Sequence, residues 1–439
     1  MVSRTVLIVS PNFPPTNAAD HHRVRISLPF LPEFGWKAIV LAILPRFVEA
    51  PEDPLLLRTV PDDVEVHRIA ALNHRTTRKF GLGSLALRAL PSMLWKGSKL
   101  LRSRKIDLVY FSTTQFPLLI LGPILRRVYG IPYVIDLQDP WLHDYYESTG
   151  TFPPGGKIKH GIARLMARSF EPIVMRHAKE VIVVSPAYAE TLLKRYPFFR
   201  REQFTTLPFG GSESDFALLS SLEVKHNVFN PNDGLDHWVY VGVAGDVMAP
   251  ALHLLFSALR KIREGAPDRL RHTMLHFIGT SYAPKSLASK SVEPIARAHG
   301  VADLVEERTD RIPYFEALQC LAAAQVILVI GSDAPGYSAS KLYPCILANR
   351  PLLAILHEKS PAVKILRGVS GQKEVVTFDP ASQENALVQL QAVLHRMLDL
   401  HGCTGRNEAP AIESTQFAEY TAREMTRRQC DVFDRAAIS

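Results

Sequence analysis

An α/β protein with two parallel-sheet units is what this 439-residue sequence predicts, and three observations carry the prediction. Short apolar runs rich in β-branched residues recur along the chain: TVLIVS, KAIVLAI, LVYFS, YVIDL, EVIVV, WVYVGV, HFIG, VILVI and LLAIL. Each is too short for an ordinary buried helix, and most lead through a loop into a helical pattern, the alternation that builds parallel sheets. The length, with 47% hydrophobic and 21% charged residues, suits two globular domains.

Residues 5–10 are the first strand and lead into the loop PNFPPTNAADHHR, where consecutive prolines hold off a helix until residues 18–21. That helix is expected to run to Phe34 and to end at Gly35, with residues 37–43 as the second strand. DVEVHRI, residues 63–69, alternates as an edge strand does. Strands at 108–112 and 133–137 flank a helix at 117–129, and the later strand ends in DLQDPW, Asp136 to Trp141. Two carboxylates and a tryptophan there stand where an open parallel sheet places its ligands. Asp139 is also suited to cap a helix that starts at Pro140. A helix at 158–178, a strand at 180–184, a helix opened by Ser185 and Pro186, and residues 205–208 complete a first domain of residues 1–211.

Residues 212–236, with NPNDG, lack periodicity and read as a linker. A second domain, 237–412, follows with strands at 238–243, 276–279 and 305–308 and helices at 250–263 and 314–323. Its centre is QVILVIGSDAPGYSASKLYPCILANRPLLAIL, residues 325–356: strand, polar loop, helix from Lys341, strand. Loop amides and a helix start at that place favour an anion. Gly336 and Ala339 allow close backbone approach, Ser338 and Ser340 add hydroxyls, and Lys341 is a point charge suited to phosphate. The competing reading is a capped surface helix with a solvated lysine. Residues 413–439 read as an amphipathic terminal helix.

The net charge of +8 lies in the first half, where residues 1–220 hold 28 Lys and Arg against 19 Asp and Glu. No acidic residue falls between Glu65 and Asp107, while Arg68, Arg88, Lys96, Lys99, Arg102 and other cations interleave with apolar residues such as Trp95. The 68–105 stretch is therefore a candidate contact for an anionic membrane, against the alternative of a solvated helix face. Nucleic acid is not an expected partner, since no recognised binding motif accompanies the charge. Cys320, Cys345, Cys403 and Cys430 are scattered without metal-ligand spacing, so neither zinc nor a disulfide framework is expected. The first apolar run is too short for a signal peptide, so a cytoplasmic location is expected, with peripheral attachment to the inner membrane face as a further expectation.

The order of these elements, and SKLYP through RPLLAI late in the chain, resembles the GT-B glycosyltransferases, especially family 4-like enzymes of bacterial polysaccharide and glycolipid synthesis. The resemblance implies two Rossmann-like domains facing across a cleft, acceptor-binding first and nucleotide-sugar-binding second, with the terminal helix crossing back to the first. Matching Ala348 to Pro351 to the family's Ala-Gly-x-Pro puts Gly336 and Pro344 where the family carries two glutamates, so both carboxylates are absent. YSASKLYP, from Tyr337, looks like a branch that holds the nucleotide diphosphate through Ser and Lys. Gly242, Gly245 and Asp246 match the family's first Gly turn, without its basic pair, and Gly279 matches a second. Arg308 would pass near the nucleotide base, or form a surface salt bridge. The first loop, with Asn17, Asp20, His21 and Arg23, would lie at the cleft, and Asp136, Gln138 and Asp139 would face the transferred sugar, Asp139 as acceptor contact or general base.

The implied reaction moves a sugar from a nucleotide-diphosphate donor to a glycan or lipid-linked acceptor, with retention and without metal or cofactor. Lys341 would act on the departing diphosphate, and no Asp-x-Asp motif is present. A nucleotide-sugar 2-epimerase and a non-catalytic sugar-nucleotide or lipid-binding protein are the alternatives.

Overall fold

The computed structural model describes residues 4–77, 83–142, 157–281, 283, 287–335, 340–369, 373–399 and 417–438. The chain forms two compact units, Met1–Phe209 with Ala422–Ser439, and Gly210–Thr421.

The first unit is built on seven parallel strands: β1 (Arg4–Val9), β2 (Trp36–Ile43), β3 (Glu65–Ile69), β4 (Leu108–Ser112), β5 (Tyr133–Leu137), β6 (Glu180–Val183) and β7 (Phe204–Thr206). Their order is β3-β2-β1-β4-β5-β6-β7, so chain direction across the sheet reverses between β1 and β4. Strand residues alternate between two cores. Leu7, Leu41, Val109 and Ile135 pack with α2 (Leu85–Ser103) and α3 (Leu121–Tyr129), which follow α1 (His22–Ser27) in the chain. Val6, Ile8, Val40, Tyr110 and Ile182 take the other face and meet Val432 and Phe433 of the C-terminal helix Ala422–Ile438.

That last helix belongs to the first unit, as the resemblance implies. Phe433 sits edge-on to Trp36 (5.4 Å) and Tyr110 (4.9 Å). Asp434 accepts from Trp36 Nε1 at 3.0 Å and pairs with Arg4 at 2.8 Å. Burying side chains such as Phe433 and Val432 is worth about 1.5–3 kcal/mol each. α4 (Lys157–His177) and α5 (Pro186–Arg195) flank β6.

Two expected helices are shorter than read. The one placed at 18–34 is a 3₁₀ turn, Ala19–His21, then α1, then a second 3₁₀ turn, Leu31–Phe34. Pro29 and Pro32 lack the N–H that would continue it. The one placed at 117–129 opens as 3₁₀ over Phe116–Ile120 before α3.

The second unit has six parallel strands: β8 (Asp236–Val241), β9 (Thr273–Ile278), β10 (Val305–Arg308), β11 (Val326–Ile330), β12 (Leu352–His357) and β13 (Lys373–Phe378). Their order, β10-β9-β8-β11-β12-β13, reverses between β8 and β11. The helices, in order, are α6 (Glu213–Ser221), α7 (Ala249–Gly265), α8 (Glu293–Ala298), α9 (Tyr314–Ala323), α10 (Leu342–Leu347), α11 (Pro361–Gly368) and α12 (Glu384–Leu398). Hence the 212–236 stretch is not simply a linker: Ser212 Oγ accepts from the Asp215 amide and caps α6. β13, α11 and α12 were not read from the sequence.

Candidate functional site

Each sheet reverses strand order once, and ligands of such sheets bind beyond the strand ends at that reversal. In the first unit the loops concerned leave β1 and β4; in the second they leave β8 and β11. Of the residues singled out from the sequence, Asn17, Asp20, His21 and Arg23 follow β1, Gly242, Gly245 and Asp246 follow β8, and Ser340 and Lys341 follow β11, whereas Asp136, Gln138 and Asp139 lie at the end of β5, Gly279 follows β9 and Arg308 ends β10.

In the first unit, Asp20, Arg23, Asp136 and Gln138 converge. Arg23 Nε lies 2.9 Å from Asp136 Oδ2, both side chains being buried. The Arg23 guanidinium also donates to the Leu207 and Pro208 carbonyls, at 2.8 and 3.1 Å. Tyr110 Oη (3.1 Å) and Ser112 Oγ (2.8 Å) donate to the same Asp136 oxygen. Gln138 Nε2 donates to the Asp20 carbonyl and to Ser112 Oγ, both at 2.9 Å. Asp20 accepts from Asn12 Nδ2 and from Thr113 Oγ1 at 3.1 Å, and from the Thr114 amide at 3.3 Å. Burial raises the Asp20 pKa against these bonds, which lower it. Asn17 is buried, its amide donating to the Pro51 carbonyl. His21 is fully buried, and burial, with His22 and Arg25 nearby, holds its pKa well below the usual imidazole range.

Asp139, on the same turn as Gln138, is exposed, and it acts with burial to push the Tyr188 hydroxyl up to about 12, burial being the larger cause. The residues missed in the sequence are Asn12, Tyr110, Ser112, Thr113 and Thr114. The run Ser112-Thr113-Thr114 at a strand end was the visible signal.

In the second unit, Lys341 stands just before α10 and its ammonium reaches the turn that leaves β8. Nζ donates to Tyr240 Oη at 2.5 Å and sits 4.2 Å from that ring's centroid. Tyr240 Oη in turn donates to the Val243 carbonyl at 2.7 Å. The ammonium fills the space that a Cβ on Gly242 would take, and Gly242 has φ +137°. Part of the Lys341 side chain is accessible, yet its charged end is enclosed, and burial pushes its pKa down to about 8. The missing basic pair of the first Gly turn is thus matched by a cation arriving from the other switch loop. Tyr240 carried no signal, since an aromatic in WVYVGV reads as core.

The Asp333 amide bonds the Val247 carbonyl at 2.9 Å and ties the two loops together. Gly245 precedes the 3₁₀ turn Asp246–Met248 that opens α7, with Asp246 exposed. Gly279 has φ +72° and its amide donates to the Arg308 carbonyl at 2.8 Å. The Arg308 guanidinium bonds the Asn227 and Val228 carbonyls, each at 2.8 Å, and Glu306 Oε1 at 3.0 Å, so it fastens the segment ahead of β8. Ser340 is exposed beside Lys341. Gly336, Tyr337, Ser338 and Ala339 lie outside the described residues, as does Cys403. Among the described residues no group of three or more His, Cys, Asp or Glu is arranged to hold a metal ion.

Residues 19–210 match the model of the glycosyl transferase 4-like domain. By sequence, no curated protein matches the chain. Solved structures match over nearly the whole length. Anabaena HepE in complex with UDP and glucose is 14% identical over 98% of this chain and 99% of that one, with a TM-score of 0.57. A UDP-forming α,α-trehalose-phosphate synthase from Burkholderia vietnamiensis is 12% identical over the full length of both chains, with a TM-score of 0.60. A Listeria monocytogenes protein described as a UDP-N-acetylglucosamine 2-epimerase is 11% identical over 98% of this chain and 96% of that one, with a TM-score of 0.50. At such identities the likeness concerns the fold. The chain has the GT-B fold, and its residues 19–210 are similar to the glycosyl transferase 4-like domain.

Proposed function

We propose that this protein transfers a sugar from a nucleotide-diphosphate donor to a glycan or lipid-linked acceptor. The observation that carries the reading is the enclosed Lys341 ammonium at the Gly242 turn, on the two loops that flank the strand reversal of the second unit. Breaking a sugar–diphosphate bond leaves negative charge on the departing phosphate, and a preset cation in a poorly solvated place stabilises that charge where it develops. A protein cation there supports a metal-independent course; retention rests on the resemblance to family 4-like enzymes. HepE is bound to UDP and glucose in its structure, which makes UDP the first nucleotide to try.

A lipid-linked acceptor is favoured by the outer surface of the first unit. α2 and α3 contain no acidic residue, and the one acid of α4, Glu171, is buried against Arg195 at 2.8 Å. Trp95 is 66% exposed with Lys99 5.6 Å from its ring, and Val128 and Leu165 on the neighbouring helices are equally bare, among Lys96, Arg127 and Arg168. This pattern suits an anionic bilayer. It departs from the 68–105 expectation in two respects. Arg68 and Arg88 are spent on backbone carbonyls, of Pro14 and of Leu72, and the surface extends beyond residue 105 to α3 and α4. Arg78 and Lys79 lie outside the described residues. Among the described residues no helix is long and apolar enough to cross a membrane.

The test is thermal unfolding with UDP, GDP, CDP and ADP, each repeated on Lys341→Ala. Ligand at a hundred times its Kd adds about 2.7 kcal/mol of stability. A shift with one nucleotide that disappears in the variant supports the donor site; stabilisation of neither protein removes it. Turnover of the stabilising nucleotide's sugar only when an acceptor is added separates transfer from epimerisation and from simple binding.

A further inference from the structure

The turn that receives the Lys341 ammonium, Gly242 to Gly245, has glycine at both ends, so its backbone is permissive and its path is set by what it bonds. The Gly242 amide donates to the Ile278 carbonyl at 2.8 Å, and the Ala244 amide donates to the Thr280 carbonyl at 3.1 Å. The Val243 carbonyl accepts from Tyr240 Oη at 2.7 Å. The Ala244 carbonyl accepts from Ser291 Oγ, a side chain that stands just ahead of α8. Ala244 is buried, so that hydroxyl is what its carbonyl meets in place of water.

Ser291 is itself firmly placed. Its amide donates to Glu307 Oε1 at 2.9 Å, and the same oxygen accepts from Thr280 Oγ1 at 2.6 Å. The other Glu307 oxygen accepts from the Val292 and Glu293 amides, each at 2.9 Å, and the Glu307 amide donates back to Glu293 Oε1 at 3.2 Å. Both supports of Ala244, Thr280 and Ser291, are thus fastened to one buried carboxylate on β10. A hydroxyl has one proton to give. Glu307 Oε1 lies 3.4 Å from Ser291 Oγ, at the limit of a hydrogen bond, and already takes two closer donors, so the proton goes to Ala244. Capping α8 uses the amides alone, which leaves the hydroxyl for the turn.

We propose that Ser291 is a positioning residue of the donor site: its hydroxyl, braced by Glu307, sets the Ala244 backbone and with it the turn that encloses Lys341. The bearing on sugar transfer rests on the donor-site reading of Lys341. Gly242 shares the turn with Ala244, and the space its side chain would fill is the space the ammonium takes. A turn released at Ala244 opens that space to water, which hydrates the ammonium and carries its pKa back toward the ordinary lysine value. It also shifts the cation against a bound diphosphate, and a displacement of about 1 Å in such a place costs about a hundredfold.

Lys341 reports the turn without any nucleotide. In the full-length protein labelled with ¹³Cε-lysine, its resonance, identified by its absence from Lys341→Arg, should titrate at about 8. In Ser291→Ala the midpoint should rise by about one pH unit or more, and Ser291→Thr, which keeps the hydroxyl, should return it to the wild-type position. Tyr240 and Cys345 are the titratable groups against Lys341, and burial pushes the Cys345 thiol up to about 12. Both are present in all three proteins, so a moved midpoint reports the enclosure. The nucleotide that stabilises the wild type should bind Ser291→Ala about tenfold or more weakly. A midpoint unmoved in Ser291→Ala, one moved equally in Ser291→Thr, or equal nucleotide affinity in the wild type and Ser291→Ala overturns the inference. If no nucleotide binds the wild type while the midpoint moves and is restored, the donor reading falls and Ser291 stands as the support of the Lys341 turn.

Discussion

The Lys341 ammonium occupies the volume that a side chain at Gly242 would fill, and this ties a cation from one switch loop to the backbone of the other. Two separate requirements meet at Gly242: room for the ammonium, and a backbone at φ +137° that L residues avoid. Gly242→Ala should therefore lose roughly 1–3 kcal/mol of stability through backbone strain and displace Lys341 as well. The expected outcome is a lowered midpoint of thermal unfolding together with loss of the nucleotide-induced shift. A variant that is destabilised but still responds fully to nucleotide would detach Lys341 from the donor site.

The pH dependence of Lys341 has a definite sign. Its folded pKa, about 8, lies below the ordinary lysine value of about 10.4, so between them the unfolded chain binds more protons than the native one. Stability should then rise with pH across that window, and Lys341→Met should flatten this rise. Anion binding needs the charged form, so affinity for whichever nucleotide stabilises the protein should weaken as the pH passes about 8. Lys341→Arg, charged at all these pH values, should hold its affinity. Titration calorimetry from pH 7 to 10 distinguishes the two proteins.

Most strands were legible because a buried parallel strand is a short apolar run with a loop on each side, and β4, β5, β10 and β11 lie where the sequence put them. The loops of the two strand reversals were legible for the same reason, since strand ends mark them. What could not be read is which side chain crosses from one element to another. Lys341 reaching Tyr240, and Arg308 turning to the 227–228 backbone, are long-range choices with no local pattern. α12 was readable in principle, because Leu390, Val393, Leu394 and Met397 follow helical spacing; β13 at the sheet edge was not.

Arg23 and Asp136 test whether the polar group of the first unit is structural. Removing the guanidinium leaves a buried carboxylate facing only neutral donors, which costs roughly 3–5 kcal/mol. Arg23→Ala should show that loss in urea unfolding. Asp136→Asn on the same background should recover part of it, because a neutral amide no longer needs the cation. Additive losses in the double variant would show that the two residues do not support one another.

Glu307 takes the place at the start of α8 that an anion would otherwise fill. Its carboxylate accepts from Thr280 Oγ1 at 2.6 Å and from the Ser291, Val292 and Glu293 amides at 2.9 Å. Glu307→Ala strands several buried donors, each unmet one costing about 1–3 kcal/mol, with water entering the vacated space offsetting part. A net loss of about 2–4 kcal/mol is expected, and a smaller one in Glu307→Gln, which keeps an acceptor oxygen. Chemical denaturation of the three proteins measures both.

The basic outer surface of the first unit makes its own prediction, because cations near an anionic bilayer contribute about 1 kcal/mol each. Flotation with vesicles containing phosphatidylglycerol should carry the protein upward, and vesicles of phosphatidylcholine alone should not. Trp95→Ala removes an exposed indole from α2, and Lys96→Glu with Lys99→Glu reverses two charges on the same helix. Both sets should cut binding, the charge reversal by about tenfold or more for each residue. Salt should weaken the interaction steeply, since exposed charges are screened within about 8 Å at physiological ionic strength. Since these side chains lie on α2 rather than on the switch loops, the nucleotide-induced thermal shift should survive every substitution. Binding that is indifferent to lipid charge, or that persists in the reversed variant, would leave the acid-free helices as an ordinary solvated surface and the acceptor as a soluble glycan.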